Sequence, residues 1–233
     1  MLTVWRRFYG PRRFSVLLVI LLILFAGTPI LLELDISVTW FDGIVAVFML
    51  ASIFSLCFER HQRIYALVIG VPAIVLSGVG HRLSGSTAFW LLFVSQVVQI
   101  MFLVGASWLI VKSLFQSPAL TFDSISGAVC GYLFLGLGWS VFYLLIIDFW
   151  PDSFLIDPAL VKTGDPQHLM LNAMTYYSFI TLTTIGYGDM VPTAPLTRTL
   201  AWMEAVSGQF YLAVVVASLV SLMPVSTRSR PKS

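Results

Sequence analysis

The residues of this chain best suited to chemistry lie in one run, Thr183-Thr184-Ile185-Gly186-Tyr187-Gly188-Asp189. Two glycines alternate with larger residues, and glycine adopts backbone angles, some at positive φ, that other residues resist. A strand built this way can turn successive carbonyl oxygens to one side, which a hydrogen-bonded sheet cannot. Such oxygens are the ligands that a hard alkali cation takes in exchange for its water. The chemistry expected here is ion coordination by peptide groups.

Other reactive side chains are scattered. His61, His81 and His168 stand apart and read as plain interface residues. Cys57 and Cys130 both fall inside hydrophobic runs, with no metal-ligand spacing and no disulfide framework. Glu204 is the exception, because a carboxylate within an apolar run costs several kcal/mol unless it is paired or wetted. Its expected partners are the hydroxyls of Thr181 or Thr183, or water. An enzyme in a membrane would need polar residues gathered at one depth, and Glu204 with the three histidines makes no such group. The expectation is therefore no enzyme.

Hydrophobic residues make up 58% of the chain and charged residues 10%. Soluble domains carry about a quarter charged residues, so the composition is that of a polytopic, all-α membrane protein. The near-neutral charge gives no sign of nucleic-acid binding. Six apolar spans are expected, at residues 14–32, 40–58, 64–80, 87–111, 127–150 and 199–223. The first follows a basic start (Arg6, Arg7, Arg12, Arg13) and is long for a signal peptide, with a poor cleavage site at Ala26-Gly27. The third is the weakest and contains Pro72, which membrane helices tolerate with a kink. Pro151 and Pro224 close the fifth and sixth. Residues 170–182 form an apolar, aromatic segment just before the glycine run. At about 20 Å of helix it is too short to cross, and it reads as re-entrant.

Charge orients the spans. One side collects Arg6, Arg7, Arg12, Arg13, Arg60, Arg63, Lys112, Arg228, Arg230 and Lys232, against Arg82, Lys162 and Arg198 on the other. The positive-inside rule places both termini in the cytoplasm. The outer segments then carry Glu33, Asp35, Asp42, Asp148, Asp152, Asp157, Asp165 and Asp189, read mainly as a solvated acidic surface. The organisation expected is a basic cytoplasmic start (1–13), a four-helix region (14–111), a cytoplasmic linker (112–126), a pore domain (127–223) and a short basic tail (224–233).

Over roughly residues 127 to 223 the chain resembles the pore-loop potassium channels. The marks are the Thr-Thr-Ile-Gly-Tyr-Gly-Asp run, Tyr176-Tyr177-Ser178 at the aromatic positions of the pore helix, and Gly208 in the inner helix. The family's run has Val where this chain has Ile185, a change that keeps the β-branch. The resemblance implies a homotetramer in a bacterial plasma (inner) membrane that passes K+ without a further cofactor. Its selectivity filter would be Thr184, Ile185, Gly186, Tyr187 and Gly188. Potassium would be held by the carbonyls of Thr184, Ile185, Gly186 and Tyr187 and by the Thr184 hydroxyl. Thr183, Asp189, Tyr176 and Tyr177 would support the filter, with Tyr187 packed on pore-helix aromatics. Relatives often bond the filter's Asp from a Trp, and some have Glu at the position of Ile180. Here a Tyr hydroxyl must bond Asp189, or nothing does, so Asp189 is expected to have fewer partners and the filter to inactivate. Gly208 is a hinge or a close-packing site, Glu204 a gating candidate, and Gln209, Leu212, Val216 and Val220 a stripe that could line the cavity. Arg198 is expected to snorkel or to pair with an acid.

The span 87–111 carries no charge. Each charge moved through the field is worth about 2.3 kcal/mol per 100 mV, so steep voltage gating is not expected. The family's six-helix, one-pore form is thus implied without its sensor arginines. Partners expected are K+, membrane lipid and three further copies of the chain. Two alternatives are a less selective cation channel, against which Tyr187 argues, and a potassium uptake transporter subunit. The latter resemble channels but carry four pore repeats in one chain.

Overall fold

The computed structural model describes residues 13–33, 60–115, 121–157 and 166–221. In chain order these form helices α1 (Arg13–Glu33), α2 (Arg60–Gly80), α3 (Ser86–Phe115) and α4 (Phe122–Phe149). A 3-10 turn (Pro151–Ser153) and strand β1 (Phe154–Ile156) follow, then α5 (Pro166–Leu182), β2 (Met190–Pro192) and α6 (Pro195–Ser221). Among the described residues α3, α4 and α6 are long and apolar enough to cross a membrane, and shorter apolar stretches, Phe14–Thr28 and Leu67–Gly80, lie in α1 and α2. The expected second span, 40–58, lies outside the described residues, as do 1–12, Cys57 and the basic tail.

Boundaries follow local chemistry. Thr121 caps α4, its hydroxyl accepting from the Ser124 amide at 3.1 Å. At the other end the Trp150 amide bonds the Ile146 carbonyl at 2.8 Å before Pro151 prevents continuation. Residues 112–115 and 122–126, expected in a linker, are helical. α6 opens on Pro195, where the missing amide would have had no helical partner anyway.

α4 is the hub, packed against α1, α3, α5 and α6. Phe14, Leu17 and Leu21 recur at helical spacing on α1 and are buried with Ala128, Cys130 and Phe134 of α4 and Phe102 and Ile110 of α3. Asp123 links the starts of two helices: its Oδ1 accepts from the Ser15 amide at 2.9 Å and the Ser15 hydroxyl at 3.1 Å. A carboxylate at helix N-termini is favoured by their dipoles. Cys130 is buried and free, its thiol 3.7 Å from the Phe14 carbonyl. Polar residues stitch the rest: Ser95 Oγ donates to the Ala73 carbonyl at 3.1 Å and Ser107 Oγ to the Gly131 carbonyl at 3.0 Å. Lipid supplies no hydrophobic drive between helices, so packing and such bonds hold them. His81 stands beside the turn between α2 and α3, with Nδ1 2.9 Å from the Ser77 carbonyl.

A second cluster lies towards the other end of α4, where Tyr143, Ile146 and Ile147 meet Phe154, Met174, Tyr177 and Met190. It is held by a feature that periodicity did not signal. β1 and β2 pair antiparallel, with Phe154 opposite Pro192, Leu155 opposite Val191 and Ile156 opposite Met190. Thr193 N and Thr197 Oγ1 both donate to the Ser153 carbonyl at 3.0 Å, which ties the start of α6 to the 3-10 turn after α4.

Candidate functional site

α5, with 17 residues, is about 25 Å long and ends at the glycine run. Its last four carbonyls have no helical partner of their own, yet each finds a donor. Phe179 O accepts from the Thr183 amide at 3.0 Å, Thr181 O from the Thr184 amide at 2.9 Å, and Leu182 O from the Tyr132 hydroxyl at 3.2 Å. Ile180 O accepts twice, from the Ile185 amide at 2.8 Å and the Gly186 amide at 3.2 Å. The glycine run is thereby fastened to the helix that delivers it.

Beyond that anchor the backbone alternates. Thr184 has φ +60°, Gly186 φ +56° and Gly188 φ +82°, while Ile185, Tyr187 and Asp189 between them are not in the left-handed region. Left-handed and ordinary residues in turn cannot make a sheet ladder, and the left-handed conformation is costly at a β-branched residue such as Thr184. No donor among the described residues reaches the carbonyls of Thr184, Ile185, Gly186 or Tyr187, and the run from Thr183 to Gly188 is exposed. Peptide carbonyls with no hydrogen bond, on a strained backbone, are available to a ligand.

Asp189 follows. Its Oδ2 accepts from the Tyr176 hydroxyl, its Oδ1 from the Met190 amide at 3.1 Å, and its backbone carbonyl from the Asp157 amide at 3.2 Å. The tyrosine hydroxyl required in place of the indole is thus that of Tyr176, and the Met190 and Asp157 amides give Asp189 more partners than expected. Tyr177, expected beside the filter, does not reach it within one chain. Its ring is buried edge-on to Tyr143 at 5.1 Å and to Phe154 at 5.0 Å. Tyr187 is 69% exposed and Ile185 54%, large apolar side chains with little of this chain to cover them. Thr183 turns its hydroxyl back to the Phe179 carbonyl at 2.5 Å.

α6 runs alongside α5 in the same direction. Glu204 is completely buried, and Ser178 Oγ lies 2.5 Å from its Oε1 and 2.8 Å from the Gly136 carbonyl. Its partner is therefore Ser178, not Thr181 or Thr183. Its Oε2 and the Tyr143 hydroxyl are buried without a geometrically satisfactory partner among the described residues. One turn further on, Gly208 meets the end of the same helix: a Cβ there would lie 2.5 Å from the Leu182 carbonyl oxygen. Gly208 is thus a close-packing position, and α6 is continuous through it. Gln209, Leu212, Val216 and Val220 are all exposed in the single chain. Arg198 finds no acid among the described residues; its Nε donates to the Pro192 carbonyl at 3.1 Å. Sequence reasoning missed Tyr132, Ser178 as a partner, and the Ile180 carbonyl, since these act through contacts between helices far apart in the chain.

Residues 129–224 match the family model described as "Ion channel". Over 91 residues the chain is 35% identical to the inward rectifier potassium channel Kirbac3.1 of Paramagnetospirillum magnetotacticum, which covers 37% of this chain and 30% of that protein. The chain thus matches less than a third of its relative's length. No solved structure matches it.

Proposed function

Because the segment 129–224 belongs to the pore-loop potassium channel family, we propose that this protein is a potassium-selective channel built from four copies of the chain. The observation that carries the reading is the alternation of positive φ at Thr184, Gly186 and Gly188 beside carbonyls that accept no hydrogen bond from the described residues. One loop cannot encircle an ion. Four, arranged about an axis, offer rings of oxygens from Thr184, Ile185, Gly186 and Tyr187 that replace its hydration shell. Adjacent rings let one ion displace the next, so selectivity and speed coexist. Thr183, Tyr176 and Asp189 hold the strand; Gln209, Leu212, Val216 and Val220 face the cavity; Tyr177 steadies the pore helix from behind.

Exposure supports the assembly. Tyr187 at 69% and Phe210 at 66% are large apolar groups left open on one copy. Neighbouring copies would cover the filter flank and part of α6. Direction supports six crossings. α1 runs parallel to α4, since Phe14 lies against Gly127 and Phe25 against Phe179, beside Gly136. α2 is antiparallel to α3, with Gly80 beside Leu92, and α3 to α4, with Gln96 bonded to Asp148 and Ser107 to Gly131. α1 and α2 therefore point the same way, as the first and third of six spans would. With both termini cytoplasmic in a plasma (inner) membrane, the filter opens outward. α3 carries only Lys112, in its last turn, so the channel is at most weakly voltage-gated. Glu204 and Gly208, both seated on the pore helix, are where movement of α6 would reach the filter.

The test is rubidium uptake into potassium-loaded liposomes, with and without sodium competition. Uptake that sodium does not suppress supports the reading. Equal passage of both ions supports the less selective channel, and no uptake by a folded tetramer contradicts both.

A further inference from the structure

On the filter's side of the molecule, where the start of α3 meets the end of α4 and the first turns of α5, a cavity of about 440 Å³ opens between the helices. That volume is within the range of small-molecule sites. Its walls include Phe89, Phe93, Phe149 and Met170, and its polar lining is Gln96 and Asp148. The three rings stand edge to face, Phe149 lying 5.4 Å from both Phe89 and Phe93. Gln96, only 5% exposed, gives its Nε2 to Asp148 Oδ2 at 2.8 Å. Its Oε1 is buried with no partner among the described residues. Asp148 is exposed at the cavity's mouth, and among the described residues its Oδ1 takes no bond and no cationic side chain pairs with the carboxylate.

The pair is therefore rich in acceptors and short of donors, with Gln96 buried and Asp148 open beside an aromatic wall. A carboxylate supplies charge, and aromatic faces attract cations, most strongly where water is excluded. An apolar neutral ligand would leave the carboxylate unanswered, and an anion would be repelled. The geometry points to a binding site for a primary ammonium group on an apolar tail. The amine donates to Asp148 while its flank rests on the phenylalanine rings and its chain follows α3 and α4 into the lipid. The same chemistry is offered by the ethanolamine head of a membrane lipid and by a free alkylamine. The inference does not depend on ion conduction.

Two tryptophans report on the cavity, Trp90 at 5.8 Å from Phe93 and Trp150 at 5.9 Å from Phe149. The full chain in phosphatidylcholine nanodiscs is titrated with dodecylammonium brominated near the amine. The component of quenching that Trp90→Phe and Trp150→Phe remove is the signal. It should saturate in the wild type, weaken at least about tenfold in Asp148→Asn, and fall about threefold to tenfold in Phe149→Leu. Asn keeps an acceptor for Gln96, so loss of fold does not mimic loss of charge. Repeating the titration with phosphatidylethanolamine in the disc separates the sources. A rightward shift assigns the site to the lipid head, and an unchanged curve assigns it to free amines. Equal quenching in Asp148→Asn, or by brominated dodecanol, would overturn the site.

Discussion

Gly188 and Gly85 form a matched pair for testing the filter. Gly188 has φ +82° and Gly85 φ +84°, and an added Cβ at either would meet nothing within 4 Å. Alanine at either position therefore brings backbone strain and no collision, about 1–2 kcal/mol per left-handed residue. At Gly85, in the turn between α2 and α3, the strain falls on separate loops and should cost only stability. At Gly188 it falls on four strands around one axis, about 4–8 kcal/mol when they rearrange together. The lower figure corresponds to about a thousandfold fall in the conducting population. Rubidium uptake by each purified variant in potassium-loaded liposomes is the assay, with tetramer content checked by size. Gly85→Ala should keep sodium-resistant uptake and Gly188→Ala should lose it. Normal selective uptake by Gly188→Ala, or equal loss in both, would refute the reasoning.

Other perturbations separate individual contacts. Tyr176→Phe removes the donor to Asp189, a bond to a charged group worth about 1.5–3 kcal/mol, and should hasten current decay in low external potassium; unchanged decay would mean that bond does not hold the filter. Gly208→Ala drives a methyl into the Leu182 carbonyl and should cost about 1–3 kcal/mol in thermal stability. A pure hinge would show altered opening at unchanged stability. Ser178→Ala leaves Glu204 without its hydroxyl and should cost about 1–3 kcal/mol, whereas Glu204→Gln keeps an acceptor for Ser178 and should cost less. Equal melting points for the two variants would argue against the Ser178–Glu204 bond.

The helices were legible because apolar runs and prolines are local signals. Their ends shifted by a few residues, since polar residues such as Arg60 and Gln167 can extend a helix beyond its apolar run. The glycine run was legible as a motif, and positive φ at its glycines follows from residue type. The same angle at Thr184 does not, because a β-branched residue takes it only when a neighbouring structure imposes it. Tyr176 was legible as a possible donor to Asp189 from its place in the pore helix. Tyr177 was not, because which of two adjacent tyrosines faces the filter depends on helix rotation, fixed here by Tyr143 and Phe154. Glu204 announced itself as a buried carboxylate, but its partner depends on the register of α6 against α5. The β1–β2 ribbon had no signal in strands this short, three residues each.

The central claim is that peptide oxygens from four chains replace the water around a permeating ion. The most direct measurement is anomalous scattering from rubidium in crystals of the assembled protein. The account predicts a file of peaks on a fourfold axis, between the carbonyls of Thr184 and Tyr187. A monomer, or an axis with no rubidium beside those residues, would contradict it.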